Sequence, residues 1–275
     1  MGAKARWKQQ RKVFKYWFKS RSIGLSPDLY WRLHEWYCGQ KECELAILPF
    51  VKGGGTTAID IGANFGTYTW HLAKHYDHCQ AFEPVPRLAQ VLRRGFHTSG
   101  SNVVVHEVAL SDRAGRVQLR IPPMNLGYST IEPENLLEGK VAPWAEIELV
   151  EVECQPLDHY RFENVAFIKV DVEGHELEVL HGARETIGRC RPIVLLEAEE
   201  RHRAGSVEGV FDYLKAFDYC RMVVDGLELK ELNKAAGPLE SQHRNFVFLQ
   251  PEVVDEVRDR VLAGSEAALR AEKPS

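Results

Sequence analysis

The sequence predicts an α/β fold with a mostly parallel β-sheet and helices on both of its faces. Two observations carry this prediction. Short apolar runs typical of buried strands recur from Thr57 onward, and helical stretches separate them. Two later β runs then predict an antiparallel C-terminal edge. With 275 residues the chain is long enough for one such domain with additional segments.

The predicted elements follow one another with short connections until a long interruption in the middle of the chain. The predicted β runs are Thr57–Ile61, Cys79–Phe82, Val103–Leu110, Arg116–Ile121, Ile147–Val152, Ala166–Val172, Pro192–Glu197, Cys220–Val224 and Asn245–Leu249. The predicted helices are Gly66–His75, Pro86–Thr98, Glu173–Arg189 and Val207–Phe217, and a charged helix follows Pro251.

This pattern divides the chain into three parts. Residues 1–52 form a helical extension, residues 53–252 form the main domain, and residues 253–275 form a charged C-terminal helix and tail. The triplet Gly53-Gly54-Gly55 is expected to be a flexible break before the domain. Residues 111–164 interrupt the alternation, and an insertion at this place is where a lid over the carboxyl edge of the sheet would lie.

The N-terminal segment is strongly basic. Residues 1–21 carry eight basic residues and no acidic one, so the rest of the chain has a net charge of −12. On a helical wheel, residues 4–20 place aromatic side chains on one side and lysines on the other. Two interpretations stay open: the helix lies on an anionic membrane surface, or it docks on the domain.

Composition narrows the class of protein. The chain is 44% hydrophobic and 27% charged, as in soluble globular proteins, and it has no apolar run long enough to span a membrane. Its six cysteines are far apart and form no C-x-x-C pair, which favours reduced thiols in a cytoplasmic protein. The acidic body argues against a general nucleic-acid surface.

The stretch Asp60-Ile-Gly62-Ala-Asn64-Phe-Gly66 ends the first predicted strand. Ligands of parallel α/β sheets bind beyond the carboxyl ends of the strands, and glycines there let a ligand approach the backbone. Glu83 ends the second strand, 21 residues after Gly62, the spacing at which an acid reaches the hydroxyls of a ribose. An adenosine-containing cofactor is therefore predicted.

The same stretch lacks the central glycine pattern of a dinucleotide site. An acid at this strand end would also repel a pyrophosphate. Asp60 suits a cationic group instead, such as the ammonium of S-adenosylmethionine. A glycine turn that binds no nucleotide is the structural alternative.

At this point the sequence resembles the FkbM family of methyltransferases. Five segments between about Thr56 and Glu199 carry the resemblance in order and spacing: IDIGANFGTYT, AFEPVP, VALSDRAG, IKVDVEGHELEVLHGA and RPIVLLEAE. The resemblance implies the class I methyltransferase (Rossmann-like) fold with a seven-stranded sheet, and S-adenosyl-L-methionine as cofactor. It also implies cofactor contacts, which would come from Asp60, Gly62, Asn64, Gly66 and Glu83, with Ala109, Leu110 and Ser111 near the adenine.

The stretch Asp171-Val-Glu173-Gly-His175 supplies the candidate catalytic residues. In the architecture that the resemblance implies, Asp171 lies next to the donor methyl group. His175 is a candidate base for a hydroxyl proton, and Asp171 could orient it, bind the acceptor or act as the base itself. The alternatives are a solvated His175 in the first helical turn and a Glu173 that stabilises the helix N-terminus. No metal is predicted; if one binds, Asp171, Glu173 and Glu197 are the expected ligands.

These observations lead to an S-adenosylmethionine-dependent O-methyltransferase, because members of the family mostly methylate hydroxyl oxygens. The expected acceptor is a hydroxyl of a glycan, a sugar or a small natural product, and the expected location is the cytoplasm or the inner face of its membrane. An RNA methyltransferase and a membrane-surface binding protein with a disused pocket are the alternatives. The sequence carries no signal for oligomeric state.

Overall fold

The computed structural model describes residues 30–31, 43–98, 101–123, 125–138, 141, 146–203, 205–225, 228–232 and 244–271. The predicted basic helix at residues 4–20 and most of the rest of the predicted extension at 1–52 lie outside these residues. Among the described residues, no helix is both long and apolar enough to cross a bilayer.

The described residues form eleven strands and seven α-helices. The strands are β1 (Thr57–Ile61), β2 (His78–Phe82), β3 (Val103–His106), β4 (Ala109–Leu110), β5 (Gly115–Ile121), β6 (Glu148–Gln155), β7 (Val165–Val170), β8 (Ile193–Glu197), β9 (Cys220–Asp225), β10 (Glu228–Glu231) and β11 (Asn245–Leu249). The helices are α1 (Cys43–Ile47), α2 (Thr67–Ala73), α3 (Pro86–Thr98), α4 (Glu176–Gly182), α5 (Arg184–Cys190), α6 (Ser206–Lys215) and α7 (Val254–Ala271). Short 3-10 helices lie at Leu126–Tyr128, Leu157–Tyr160 and Pro251–Val253.

The central sheet confirms the predicted α/β class. Its strand order is β10-β9-β11-β8-β7-β1-β2-β3. The five strands from β3 to β8 are parallel, and β11 runs antiparallel to both of its neighbours. Strands β2 and β3 lie on one side of β1 in the sheet, and β7 and β8 lie on its other side. The switch in strand order therefore lies between β1 and β7, where a crevice opens beyond the strand ends.

Two strand predictions need correction. The central sheet has eight strands rather than seven, because Glu228–Glu231 pairs antiparallel with β9 at the edge. Only Leu229 of this strand is buried, so its sequence lacks an apolar run. The predicted run Val103–Leu110 is two strands in different sheets, since Ala109 and Leu110 pair with β6 in a three-stranded sheet of order β4-β6-β5.

Both faces of the central sheet are covered, which explains its continuous apolar strands. On one face Ile59, Ile61 and Ile168 pack with side chains of α4, α5 and α6. On the other face Ala58 and Phe167 pack with residues of α1, α2 and α7. Alternate residues of one strand thus enter two different cores.

Two of the three glycines before β1, Gly53 and Gly55, are explained by close packing. A Cβ atom on Gly53 would lie 2.4 Å from the carbonyl oxygen of Ala166, and one on Gly55 would lie 2.2 Å from that of Asn164. The same Asn164 oxygen accepts hydrogen bonds from the amides of Thr56 and Thr57. The chain is therefore held against the start of β7 as it enters β1.

The helix predicted at Glu173–Arg189 begins later and is divided. Glu176 starts α4, and Ala183 separates α4 from α5. Residues 171–175 form a turn instead, in which Glu173 and Gly174 have φ angles of 56° and 107°. Glu173 and His175 therefore belong to the loop at the sheet edge and not to a first helical turn.

Candidate active site

A cleft opens over the carboxyl ends of β1, β2 and β7. Its empty volume is about 590 Å³, including the part open to solvent. The turn after β1, the end of β2, the stretch around β4 and the insertion all contribute to its walls. The lining residues are Ile61, Gly62, Asn64, Phe82, Glu83, Pro84, Val108, Ala109, Leu110, Leu119, Leu126, Gly127, Ser129, Thr130, Ile131, Asp171, Val172 and His175.

The turn after β1 is fixed by a glycine and an asparagine in left-handed conformations. Gly62 has a φ angle of 79°, and a Cβ atom there would lie 1.8 Å from the carbonyl oxygen of Asp171. Only glycine allows the ends of β1 and β7 to approach so closely. Asn64 has a φ angle of 53°, which asparagine tolerates better than most residues. Both residues were predicted to contact the cofactor, and both line the cleft.

Glu83 faces this turn from the end of β2. Its Oε2 accepts a 2.7 Å hydrogen bond from the amide of Asn64, and its Oε1 accepts a 2.8 Å bond from the amide of Val85. Burial raises the pKa of Glu83 to about 7, while these two amide donors act in the opposite direction. Each carboxylate oxygen has a second lone pair, so Glu83 keeps acceptor capacity for a ligand in the cleft.

Asp60 does not line the cleft, in contrast to its predicted contact with the cofactor. Its side chain is fully buried, and Oδ2 accepts a 2.5 Å hydrogen bond from the hydroxyl of Thr69. Oδ1 lies 4.0 Å from Nζ of Lys169, its partner in the β1–β7 register. Burial raises the pKa of Asp60, and Lys169 opposes this rise. The carboxylate therefore belongs to a buried cluster beside the strands.

Gly66 also has a structural explanation. It precedes α2 with a φ angle of 78°, and a Cβ atom there would lie 2.7 Å from Leu92 Cδ2 and 3.1 Å from Phe96 Cε2. The missing side chain makes room for α3, and Gly66 is not among the cleft residues. Ala109 and Leu110, which are expected near the adenine, line the cleft.

Asp171 follows β7 and lines the same cleft as Glu83. Its amide donates a 3.0 Å hydrogen bond to the carbonyl oxygen of Ile61, and its Oδ2 accepts a 3.0 Å bond from Lys169 Nζ. Burial opposes the charge on Lys169, but the carboxylates of Asp171 and Asp60 raise its pKa overall. Lys169 is therefore a permanent cation that fixes the orientation of the Asp171 carboxylate.

Glu173 does not line the cleft, although its position in the sequence predicted a catalytic role. Its Oε2 lies 3.0 Å from His202 Nε2, and burial raises its pKa. Its carbonyl oxygen accepts hydrogen bonds from Thr130 Oγ1 at 2.9 Å and Asn135 Nδ2 at 2.7 Å. Glu173 thus joins the turn after β7 to the insertion and makes no contact with the cleft.

His175 lies at the cleft wall immediately before α4, with 13% of its side chain exposed. Nε2 is 2.8 Å from Ser111 Oγ, and Nδ1 is 3.1 Å from Glu132 Oε2. The imidazole is therefore not a solvated side chain. Glu132, rather than Asp171, orients the ring, and Ser111 contacts the imidazole instead of lining the cleft.

The three residues expected to bind a metal ion, if one binds, do not form a cluster with the spacing of metal ligands. Among the described residues, one set of three imidazole and carboxylate groups places its ligand atoms within 4.8 Å of one another, and its members are Glu132, His175 and Glu178. The predicted set of Asp171, Glu173 and Glu197 is not such a cluster. Burial raises the pKa of Glu197 to about 8, and the nearby Asp171 charge adds to the effect.

The insertion supplies the residues that sequence reasoning missed. Leu126, Gly127 and Thr130 line the cleft, and a Cβ atom on Gly127 would lie 2.7 Å from Asn64 Nδ2. Thr130 also forms both backbone hydrogen bonds of a bridge with Arg120 of β5. The segment is thus a wall that is fixed to β5 at Thr130 and lies against Asn64 at Gly127. Its sequence has no motif that indicates these contacts.

The cleft has the features that an adenosyl group requires. Asn64 Oδ1 is buried and has no hydrogen-bond partner within the described part of the chain, so it can accept from a ligand. Phe82, Val108 and Leu110 give one part of the wall an apolar surface suited to a flat ring. Glu83 offers acceptor oxygens beside them. These residues fit S-adenosylmethionine, although Asp60 and Gly66 do not touch the cleft.

Comparison with known proteins now identifies the family. The model for the methyltransferase FkbM domain matches residues 60–223, more than half of the 275-residue chain. The chain belongs to the FkbM methyltransferase family. The resemblance recognised in the sequence motifs is therefore confirmed.

Two curated relatives of this FkbM protein are methyltransferases by name. Methyltransferase sdnD of Sordaria araneosa is 31% identical over 155 residues, which cover 46% of the chain and 60% of the relative. The 2-O-methyltransferase NoeI of Sinorhizobium fredii is 27% identical over 200 residues, covering 66% of the chain and 80% of the relative. The chain thus spans less than two thirds of the first of these relatives.

Solved structures include a family member. The crystal structure of methyltransferase FkbM from Methylobacillus flagellatus matches 70% of this FkbM chain and 43% of its own, with 18% identity and a TM-score of 0.48. The family assignment rests on the domain match, which begins at Asp60 of β1 and ends at Val223 of β9.

Proposed function

We propose that the protein transfers a methyl group from S-adenosylmethionine to a hydroxyl oxygen of a sugar, a glycan or another small natural product. The observation that carries this proposal is the arrangement of two sets of groups across one cleft. Asn64 and Glu83 follow β1 and β2, whereas Asp171 and His175 follow β7, which lies on the other side of β1 in the sheet. The first set suits an adenosyl group, and the second suits the cationic end of the cofactor and the acceptor.

The cofactor half of the proposal assigns one task to each wall. Glu83 accepts hydrogen bonds from the ribose hydroxyls, as an acid at the end of the second strand does in nucleotide-binding sheets. The apolar wall formed by Val108, Ala109 and Leu110 covers the adenine. Asp171 offers a carboxylate to the cationic end of the molecule. When bound, S-adenosylmethionine supplies the electrophilic methyl group.

The acceptor half needs a group that removes a proton. A neutral hydroxyl is a weak nucleophile, and a base within hydrogen-bond reach makes its oxygen reactive. His175 reaches the cleft with an imidazole held at both nitrogens. It takes the hydroxyl proton at Nε2 and releases it to solvent after the transfer. Asp171 then binds a neighbouring hydroxyl of the acceptor and aligns the attacking oxygen.

The relatives support an oxygen acceptor. NoeI is named a 2-O-methyltransferase, and its match covers 66% of this chain. The acidic body of the chain argues against RNA as the acceptor, because the phosphate backbone requires a positively charged surface. The insertion, which forms one wall of the cleft, is the segment expected to select the acceptor.

Transfer of a radiolabelled methyl group tests the proposal directly. The acceptors are a panel of methyl glycosides, oligosaccharides and hydroxylated polyketides, with amines and bulk RNA as comparison classes. We expect label in an alkali-stable methyl ether of at least one hydroxyl compound, and loss of that label in His175→Ala. Label in amines or RNA alone would overturn the proposed acceptor class. A lack of binding of S-adenosylhomocysteine at micromolar concentration would indicate a disused pocket.

A further inference from the structure

Three residues from distant parts of the chain form a continuous hydrogen-bonded series beside the cleft. Ser111 follows β4, Glu132 belongs to the insertion, and His175 precedes α4. Ser111 Oγ lies 2.8 Å from His175 Nε2, and Glu132 Oε2 lies 3.1 Å from His175 Nδ1. Of the three, only His175 lines the cleft, so Glu132 acts on a ligand only through the imidazole.

The Glu132 carboxylate is held firmly in place. The side chain is buried, Oε1 accepts a 3.2 Å hydrogen bond from the amide of Glu134, and the Glu132 amide donates to Thr130 Oγ1 at 3.0 Å. The guanidinium of Arg203 lies 3.8 Å from Oε2 and compensates its charge. A carboxylate with these partners cannot turn away from the imidazole without losing them.

The chemistry of the contact fixes the tautomer of the ring. An ionised carboxylate only accepts hydrogen bonds, so a neutral His175 facing Glu132 carries its proton on Nδ1. Nε2 then keeps its lone pair and can accept a proton. We propose that Glu132 is a positioning residue that holds His175 in the Nδ1–H tautomer and thereby makes Nε2 the base of the methyl transfer. This inference rests on the proposed function, in which His175 removes the hydroxyl proton.

Ser111 is the third residue of this hydrogen-bonded series. In the structure its hydroxyl is the partner of His175 Nε2, and the same Oγ lies 3.1 Å from Asp112 Oδ1. Ser111 can therefore donate to Asp112 when an acceptor hydroxyl takes its place at Nε2. The nitrogen stays hydrogen-bonded before and after the acceptor enters, so no buried acceptor atom is left without a partner.

A metal ion is the rival occupant of this cluster. Glu132, His175 and Glu178 have the spacing of a metal set, but Arg203 Nη1 lies 2.5 Å from Glu178 Oε1. This guanidinium offsets part of the negative charge of the two carboxylates and stands where it would repel a cation. The cation of this cluster is therefore an arginine side chain of the protein itself.

Nitrogen NMR of histidine-labelled protein tests the tautomer without any acceptor. Spectra are recorded at about pH 9, where an ordinary imidazole is neutral, and His175→Ala assigns the signal. We expect Nδ1 of the wild-type ring to be protonated and Nε2 to be the unprotonated nitrogen. In Glu132→Gln the amide can donate to Nδ1, so the signal should move toward the Nε2–H form. A wild-type ring protonated at Nε2 would overturn the inference, whatever the variants do.

Kinetics with the best acceptor of the panel provide the second readout. Glu132→Gln should lower kcat about 100-fold, as expected when base catalysis is lost, and leave KM for the acceptor and the Kd of S-adenosylhomocysteine within about twofold. Glu132→Asp should recover part of kcat because it restores a carboxylate. Glu151→Gln is the matched control, since this exposed acid of β6 pairs with Arg116 and does not belong to the Glu132 network.

The failure of this inference is distinguishable from failure of the proposed function. Equal kcat values for Glu132→Gln and Glu151→Gln, with active wild-type enzyme, would reject the positioning role of Glu132 and leave the proposed function standing. Activity lost to a chelator and recovered with manganese would show a metal at the cluster and overturn the positioning role. If His175 is protonated on Nδ1 but the protein methylates no hydroxyl compound, the inference about the tautomer stands and the proposed reaction is wrong.

Discussion

The amide of Asn64 donates a 2.7 Å hydrogen bond to Glu83 Oε2, and this bond ties the turn after β1 to the acid after β2. The amides of Gly62 and Ala63 add to the connection by donating to the Phe82 carbonyl oxygen at 3.0 Å each. Two strand ends therefore form one rigid edge of the cleft. A ligand that binds Glu83 meets a carboxylate whose position is already set.

Replacement of Glu83 should weaken cofactor binding. Glu83→Ala is expected to reduce the affinity for S-adenosylhomocysteine by about 1–3 kcal/mol, because hydrogen bonds from the ribose to a charged acceptor are lost. Isothermal titration calorimetry measures the change. Glu107→Ala is the control, since this exposed acid after β3 pairs with Arg93 away from the cleft. Equal affinities for the two variants would reject the ribose contact.

Binding through Glu83 should also depend on pH. The pKa of this carboxyl is raised to about 7 by burial, and the ionised form is the better acceptor for ribose hydroxyls. Affinity for S-adenosylhomocysteine should therefore rise from pH 5.5 to about 7 and level off above it, with proton release on binding. The slope should disappear in Glu83→Gln. A wild-type affinity that is constant across this range would contradict the assignment.

Asp60 should contribute mainly to stability. Asp60→Ala removes one of the two carboxylates beside the buried Lys169 and the acceptor of the Thr69 hydroxyl. We expect a loss of about 3 kcal/mol in the free energy of unfolding, the scale of a broken buried pair, measured by urea denaturation. The exposed pair of Asp225 and Lys230 provides the control, and Asp225→Ala should cost less than about 1 kcal/mol.

The opposite result for Asp60 has a clear meaning. Unchanged stability with complete loss of S-adenosylhomocysteine binding would restore the direct contact expected from the sequence. The two readouts separate a buried structural acid from a ligand-binding one.

Gly62 should tolerate no side chain. Gly62→Ala places a methyl group 1.8 Å from the Asp171 carbonyl oxygen at a φ angle of 79°, so the turn after β1 or the start of the turn after β7 must move. We expect a lower yield of folded protein, or a folded protein with a melting temperature reduced by several degrees and little cofactor binding. Gly54→Ala is the control, because no atom lies within 4 Å of its added methyl group. Similar melting temperatures for both variants would contradict this role.

Much of the fold follows from local sequence patterns. Thr57–Ile61 and Asn245–Leu249 are strands with the predicted bounds, and Pro86–Thr98 is the predicted helix. Apolar runs and turn residues are local features, so they can be read from a single sequence. Gly62 and Glu83 could be predicted for the same reason, because strand ends in a parallel sheet meet at one edge.

The side to which Asp60 points could not be predicted. Both faces of β1 are buried, so no alternation of polar and apolar residues marks one face as the ligand side. Asp60 lies one residue before the end of the strand and opposite Lys169, which draws it into the buried cluster. A shift of one residue along a strand reverses the face of a side chain.

The partners of His175 depend on contacts between distant segments. Glu132 is 43 residues and Ser111 is 64 residues away in the sequence, and no motif joins them. Their approach requires the insertion to pair with β5 at Thr130 and to bind the Glu173 carbonyl. Such tertiary placement has no periodic signal in the sequence.

A crystal structure with S-adenosylhomocysteine tests the central claim most directly. We predict that the ribose hydroxyls contact Glu83, that the adenine lies against Ala109 and Leu110, and that the sulfur faces Asp171 and His175. A ligand bound at another surface, or a ligand in the cleft whose ribose lies away from Glu83, would contradict the account.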